Sequence, residues 1–255
     1  MSGWSAGQYL EFAEERTRPA RDLLARVRLD DANHVVDLGC GPANSTELLV
    51  ERFPQAEIVG VDSSHEMLDR ARRRLPQCRF IEADIATWVP EKPDLIFANA
   101  VFQWVPDHAL VLKRLCSRLA PGGVLALQMP DNLNEPVHVL MRETAADQRW
   151  AKRLASAVNA RRALASPEEY YDLLKPGLSR VDIWQTTYNH PLAGGAAIVE
   201  WMKGTGLRPF LSLLESSDQE LFLASYAARI AVAYPSRFDG KSLLRFPRLF
   251  IVAVK

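Results

Sequence analysis

The stretch VVDLGCGPANST, residues 35–46, decides the fold, because an apolar run ends there in two glycines followed by small polar residues. Residues 34–38 are predicted to form a strand and residues 44–53 a helix. Gly39 and Gly41 allow a tight turn between them, with close approach of the backbone to a ligand. The N–H groups at the start of such a helix favour an anionic ligand group. The stretch therefore predicts a strand, an anion-binding turn and a helix.

Strands and helices go on alternating along the next 80 residues. The runs LIFANA and VLALQM are apolar along most of their length, as expected for strands that helices cover on both faces. The pattern predicts an α/β domain with a doubly wound, mostly parallel sheet. The further predicted strands are 57–61, 79–82, 95–99 and 124–129, and the further predicted helices are 65–75 and 109–119.

After residue 130 the pattern becomes mostly helical. Residues 1–130 and 241–255 are predicted to form the core, with an N-terminal helix within 6–28 that kinks or restarts at Pro19. Residues 131–240 are predicted to form a helical lid, inserted among the C-terminal strands and lying near the carboxyl ends of the strands. Mostly helical stretches are predicted around residues 134–164, 167–174, 195–203 and 217–233, and the predicted late strands are 181–189 and 249–255.

Acidic residues follow successive strands. Asp62, in VGVDSS, is placed to accept hydrogen bonds from ribose hydroxyls, and Asp84, in EADIATW, ends the next strand. Asp37 lies two residues before the first glycine. A nicotinamide dinucleotide would use similar features, but its GxGxxG fingerprint requires a glycine where Asn44 stands. The pattern predicts nucleoside binding and argues against the dinucleotide.

DLGCGPA, the VD at 61–62, EADI at 82–85 and PDLIFANAVFQWVPD at 93–107 resemble the ordered motifs of class I methyltransferases, which use S-adenosylmethionine. Ala43 departs from the pattern, since many members carry a third glycine there, and alanine is tolerated if its φ is negative. The resemblance implies these cofactor contacts: Gly39 and Gly41 at the methionine end, Asp62 with Ser63 at the ribose, Met67, Asp84 and Ile85 at the adenine, and Asn99 at the methionine amino group.

Two further segments narrow the range of possible methyl acceptors. Methyltransferases acting on exocyclic base amines carry an Asn/Asp-Pro-Pro-aromatic run after the fourth strand, where this chain has NAVFQW. The runs WSAGQYLEFAEERTRPARDLLARV and WMKGTGLRPFL resemble the bacterial trans-aconitate 2-methyltransferase family. That resemblance implies esterification of one carboxylate of trans-aconitate, with S-adenosylhomocysteine as the second product.

A polycarboxylate substrate requires cationic partners. Arginine binds carboxylates with two parallel hydrogen bonds, which makes Arg208 and Arg16 candidates, with Tyr9 and Trp104 as further substrate-site candidates. Gln103 and Trp201 are candidates for the pocket wall. No catalytic base is predicted, because a carboxylate is already ionised at neutral pH.

Composition excludes several classes of protein. Lys and Arg total 31, as do Asp and Glu, so no strong overall field attracts nucleic acid or an anionic membrane. The cysteines and histidines show no metal-ligand spacing, and no segment reads as a signal peptide or a membrane span. We expect a cytoplasmic enzyme with a small-molecule substrate, of undetermined oligomeric state. Three alternatives stay open: a malonyl-carrier-protein O-methyltransferase, a methyltransferase of another small acid, and a non-catalytic S-adenosylmethionine-binding protein.

Overall fold

The computed structural model describes residues 13–255, and the chain divides into two compact units. The sheet unit consists of Arg16–Pro130, Leu164–Thr186 and Leu249–Lys255. The helical unit consists of residues 13–15, Asp131–Ala163 and Thr187–Arg248. The division into 1–130 with 241–255 and 131–240 stays a prediction.

The sheet has seven strands in the order β3-β2-β1-β4-β5-β7-β6, and the pairs within β1 to β5 are parallel. This arrangement confirms the predicted α/β class. The strands are β1 His34–Leu38, β2 Glu57–Asp62, β3 Arg79–Glu82, β4 Leu95–Asn99, β5 Val124–Pro130, β6 Arg180–Leu192 and β7 Ser242–Val254.

Helices alternate with the strands as the apolar spacing predicts, and they are α1 Ala13–Leu24, α2 Asn44–Arg52, α3 His65–Arg74, α4 His108–Arg118 and α7 Pro167–Leu174. A 3₁₀ turn, Phe102–Trp104, follows β4. Helix α1 continues through Pro19 without a restart. All seven residues of β5 are buried, because the chain covers both faces of the sheet there.

The helical unit has its own apolar core, built around Trp150, Trp201, Phe222 and Tyr226. Its helices are α5 Pro136–Ala145, α6 Ala151–Val158, α8 Gly194–Lys203, α9 Arg208–Leu211 and α10 Ser216–Ala233. The Tyr226 hydroxyl donates to the carbonyl of Val137 across 2.8 Å, which ties α10 to α5. Among residues 13–255 no helix is long and apolar enough to cross a membrane.

Two predicted segments are defined more closely by the structure. The mostly helical stretch predicted around 134–164 contains two helices, because the Asp147 carboxylate accepts the Arg149 N–H across 3.0 Å and forms a turn between α5 and α6. The last strand begins at Ser242 instead of residue 249. The segment SLLRFPR alternates buried and exposed side chains, as a strand with one buried face does. Its arginines and proline made this alternation difficult to recognise in the sequence.

Candidate cofactor site

The turn after β1 is built from glycines in the left-handed region, with φ of 66° at Gly39 and 53° at Gly41. A Cβ on Gly39 would lie 2.4 Å from Cγ2 of Val101, so no side chain fits there. A Cβ on Gly41 would meet nothing within 4 Å among the described residues. The first glycine is therefore required by packing, whereas the second leaves open space beside the backbone.

Ala43 corrects one expectation, since its φ is 69° and not negative. A left-handed conformation costs an alanine roughly 1–2 kcal/mol because Cβ approaches the following carbonyl oxygen. The surroundings hold the residue there: its side chain is fully buried, and its N–H donates to the carbonyl of Cys40 across 3.0 Å. Ala43 is also the N-cap of α2 and offers no side-chain acceptor to the first-turn N–H groups.

Asp37 lies beneath the turn and is fully buried. Its Oδ2 accepts hydrogen bonds from the hydroxyls of Ser45 and Thr46 at 2.8 and 2.7 Å, which fixes the first turn of α2 to β1. Its Oδ1 has no partner among the described residues. Burial raises the pKa of Asp37 to about 7, with the two hydroxyl hydrogen bonds opposing the shift.

Asp62 joins two backbone segments at the end of β2. Its Oδ2 accepts the N–H of Gly41 and its Oδ1 accepts the N–H of Ser64, each across 2.9 Å. A carboxylate has about four acceptor positions, so two of them stay available to hydroxyl donors. Ser63 is exposed beside it, and Met67 is half-buried in the first turn of α3.

The segment after β3 turns sharply at Asp84, whose Oδ1 accepts the N–H of Ala86 across 2.8 Å. Asp84 is exposed, whereas Ile85 is buried in the core of the sheet unit. Glu82 pairs with His65 across 2.9 Å, and this hydrogen bond raises the pKa of that imidazole.

The end of β4 carries Asn99, whose Oδ1 accepts the side-chain N–H of Gln128 across 2.5 Å. This bond fixes the orientation of the Asn99 side chain. Gln128 is not among the predicted site residues, because it lies inside the apolar run VLALQM. Ala100, with a φ of 57°, turns the chain into the 3₁₀ turn, and Gln103 donates to its carbonyl across 2.6 Å. Trp104 is 41% exposed.

The strand register brings these residues into one row. Leu38 pairs with residues of both β2 and β4, and one step further along the three strands lie Gly39, Asp62 and Asn99. Asp62 is aligned in turn with Glu82 of β3. Because neighbouring strands are about 4.8 Å apart, the row from Asn99 to Glu82 extends over roughly 14 Å.

The substrate-site candidates are placed less completely. Arg208 is exposed and begins α9, while Trp201 is buried in the apolar core of the helical unit. Tyr9 and the side chain of Arg16 lie outside the described residues. Cys40 is buried, and burial raises the pKa of its thiol, so it is no activated nucleophile. In residues 13–255 no group of histidine, cysteine or carboxylate side chains could hold a metal ion.

Comparison with protein families matches residues 29–183 to a family described as a methyltransferase domain. A trans-aconitate 2-methyltransferase from Rhodopseudomonas palustris (strain BisA53) is 60% identical over the full length of both chains. A trans-aconitate 2-methyltransferase from Agrobacterium fabrum is 55% identical over 99% of both chains.

Solved structures share the fold at low sequence identity. The YcgJ protein of Bacillus subtilis aligns with a TM-score of 0.62 and 14% identity, over 93% of this chain and 98% of the other. Phosphoethanolamine N-methyltransferase 2 of Haemonchus contortus, in complex with S-adenosyl-L-methionine, aligns with a TM-score of 0.55 and 15% identity, over 93% of this chain and 52% of the other. At such identity these two likenesses concern the fold alone.

Proposed function

Because this chain belongs to the trans-aconitate 2-methyltransferase family, we propose that it transfers a methyl group from S-adenosylmethionine to one carboxylate of trans-aconitate. The products are the monomethyl ester and S-adenosylhomocysteine. The observation that carries the proposal is the full-length identity to relatives of that name, together with the row of polar residues at the strand ends.

The residues at the strand ends fit S-adenosylmethionine. Asp62 retains acceptor capacity for the two ribose hydroxyls, and the open space beside Gly41 admits the methionine portion next to the backbone. Asn99, at one end of the row, would hold the methionine amino group, and Asp84 with Ile85, just beyond Glu82 at the other end, would hold the adenine. In this assignment Met67 packs against the adenine and Ser63 lies near the ribose.

The chemistry demands positioning more than acid or base catalysis. When bound, S-adenosylmethionine supplies the methyl group on a sulfonium leaving group. The acceptor carboxylate is ionised at neutral pH, so the protein need not remove a proton from it. What the chain supplies is alignment of the two reactants, which at best lowers a barrier by roughly 7 to 11 kcal/mol. Asp62 is suited to this task because two backbone N–H groups already orient its carboxylate.

A carrier-bound malonyl group is a less favoured acceptor. The RARRRL run in α3 would have to present a basic surface to an acidic carrier protein, but three of its arginines are already paired with carboxylates. These ion pairs are Arg70–Glu66, Arg72–Asp69 and Arg74–Glu47. Arginines paired in this way are typical of a solvated helix face and not of a docking patch for an acidic protein.

The proposed function is tested by incubating the protein with methyl-labelled S-adenosylmethionine and trans-aconitate. Label on the acid that alkali releases as methanol is the expected result, because only an ester is cleaved this way. Binding of S-adenosylhomocysteine without any transfer to trans-aconitate would contradict the assigned acceptor, and the carrier-bound malonyl group would be tried next. Binding without transfer to either acceptor would favour a non-catalytic binding protein.

A further inference from the structure

A group of polar side chains lies inside the helical unit, apart from the residues assigned to the cofactor. It consists of Asn132, His138, Arg142 and Arg161, and we call it the cationic cluster. Asn132 follows β5 by two residues, and Arg161 follows α6 by three. His138 and Arg142 are four residues apart on α5, which places them on one face of that helix.

Asn132 has donor capacity that the described residues do not use. Oδ1 of Asn132 lies 3.4 Å from both Nη atoms of Arg161, which is long for a hydrogen bond to a guanidinium. Asn132 is only 1% exposed, and its Nδ2 has no hydrogen-bond partner among the described residues. A buried N–H donor without an acceptor is costly, so the arrangement favours an added acceptor at this place.

The charges around the cluster are mainly positive. Burial, together with the charges of Arg161 and Arg142, lowers the pKa of His138 to about 3. Burial lowers the pKa of Arg161 to about 10, with the carboxylate of Asp131 opposing that shift. The carboxylate of Asp131 acts on Arg161, and both guanidinium groups act on His138, so an anion would be attracted to this imidazole.

The loop that precedes α9 contacts the cluster directly. A Cβ on Gly206 would lie 2.8 Å from Cε1 of His138, so the backbone of this loop packs against the imidazole ring. Arg208, the first residue of α9, follows two residues later. The segment GTGLRPF belongs to the run that resembles the trans-aconitate 2-methyltransferase family. It is therefore in contact with the cationic cluster through Gly206.

We propose that Arg161, Asn132 and His138 bind one carboxylate of the substrate that is not methylated. A guanidinium donates two parallel hydrogen bonds to a carboxylate, and the amide and imidazole N–H groups add further donors. Arg142 contributes positive potential, while its Nη2 donates to the carbonyl of Leu133 across 2.8 Å. This inference rests on the proposed function, because it takes the substrate to be a polycarboxylate.

The first test compares Arg161→Gln with Arg162→Gln. Arg162 is the neighbouring arginine and is exposed, so both variants lose one positive charge at adjacent positions. Binding of trans-aconitate is measured by calorimetry in the presence of S-adenosylhomocysteine, which does not require turnover. We expect Arg161→Gln to weaken binding about 10- to 100-fold, from the loss of charged hydrogen bonds, and Arg162→Gln to change it less than about 2-fold.

A second variant separates binding from folding. Asn132→Asp places a carboxylate beside Arg161, where it competes with the substrate while it preserves the shape of the side chain. We expect at least a 10-fold loss of trans-aconitate affinity with an unchanged or raised melting temperature and unchanged affinity for S-adenosylhomocysteine. A purely structural role for the cluster would instead lower the melting temperature or leave the affinity alone.

Dicarboxylic acids that each lack one of the three carboxylates complete the experiment. With itaconate, glutaconate and mesaconate, one acid should bind the wild type and Arg161→Gln equally, because the group held by Arg161 is already missing. Equal loss for all three acids and for trans-aconitate would overturn the inference. Methyl transfer by the wild type tests the proposed function separately. If the wild type transfers the methyl group but Arg161→Gln and Arg162→Gln bind trans-aconitate equally well, only the inference fails. If the wild type binds trans-aconitate without methyl transfer, only the proposed function fails.

Discussion

The carboxylate of Asp62 accepts the backbone N–H of Gly41 across 2.9 Å, so the acidic residue at the end of β2 holds the glycine turn after β1 in place. The same side chain accepts the N–H of Ser64 through its other oxygen. Two residues that are 21 positions apart therefore act as one unit, in which the carboxylate fixes the conformation of the turn.

Replacing Asp62 by alanine should weaken binding of S-adenosylhomocysteine by about 2 to 4 kcal/mol, because hydrogen bonds to a charged group contribute roughly 1.5 to 3 kcal/mol each and are not additive. Calorimetry measures the loss. Binding of 2′-deoxy and 3′-deoxy cofactor analogues provides the control: the substitution should cost these analogues less, since a hydroxyl that Asp62 would hold is absent. An unchanged dissociation constant would remove Asp62 from the cofactor site.

The two glycines should respond differently to alanine. In Gly39→Ala the new Cβ clashes with Val101, and the protein should lose at least about 2 kcal/mol of unfolding free energy. In Gly41→Ala the cost should be close to the roughly 1 to 2 kcal/mol of a left-handed alanine, while cofactor affinity falls disproportionately. Urea unfolding and calorimetry give the two quantities. Full cofactor affinity in Gly41→Ala would show that the open space beside this residue is not used.

Ala43→Gly should change the unfolding free energy by less than about 1 kcal/mol. The glycine relieves the left-handed strain of roughly 1 to 2 kcal/mol, but it loses a buried methyl group worth about 0.8 kcal/mol and adds unfolded-state entropy. Ala43→Val should cost about 2 to 4 kcal/mol, since the site is full and a β-branched residue resists this conformation. Urea unfolding of both variants checks the contrast, and an Ala43→Val protein as stable as Ala43→Gly would contradict it.

The raised pKa of Asp37 makes a prediction about pH. With a folded pKa of about 7 and an unfolded value near 4, the folded state binds the extra proton between these values. The stabilisation is complete below about pH 4 and is lost as the pH rises through 7, by at most about 4 kcal/mol. Asp37→Asn cannot titrate, so its stability relative to the wild type should rise over this window in urea unfolding. A difference that stays constant from pH 4 to 8 would show that Asp37 is ionised throughout.

Arg208→Ala should raise the KM for the acid by about tenfold and leave the affinity for S-adenosylhomocysteine unchanged, if the exposed guanidinium binds a substrate carboxylate. Arg237→Ala, at another exposed position of the helical unit, is the matched control and should alter neither quantity. Steady-state kinetics and calorimetry distinguish the outcomes. Equal loss of both affinities in Arg208→Ala would assign this arginine a folding role.

Much of the sheet unit follows from sequence alone. Strands β1, β3 and β4 have the predicted bounds, and Gly39, Asp62 and Asn99 fall at strand ends, because alternation of apolar runs and turn residues is a local property of the chain. The resemblance to class I methyltransferases likewise depends on short motifs that lie close to these strand ends.

Tertiary structure decided what depends on residues distant in sequence. The burial that holds Ala43 in its left-handed conformation, the bond from Gln128 to Asn99 and the bond from Gly41 to Asp62 all require segments that only packing brings together. The cationic cluster also depends on tertiary structure, because the residues next to Asn132 in sequence do not indicate that Arg161, 29 positions later, packs against it. Hydrogen bonds and burial act through space, and the sequence pattern records only which face of an element is apolar.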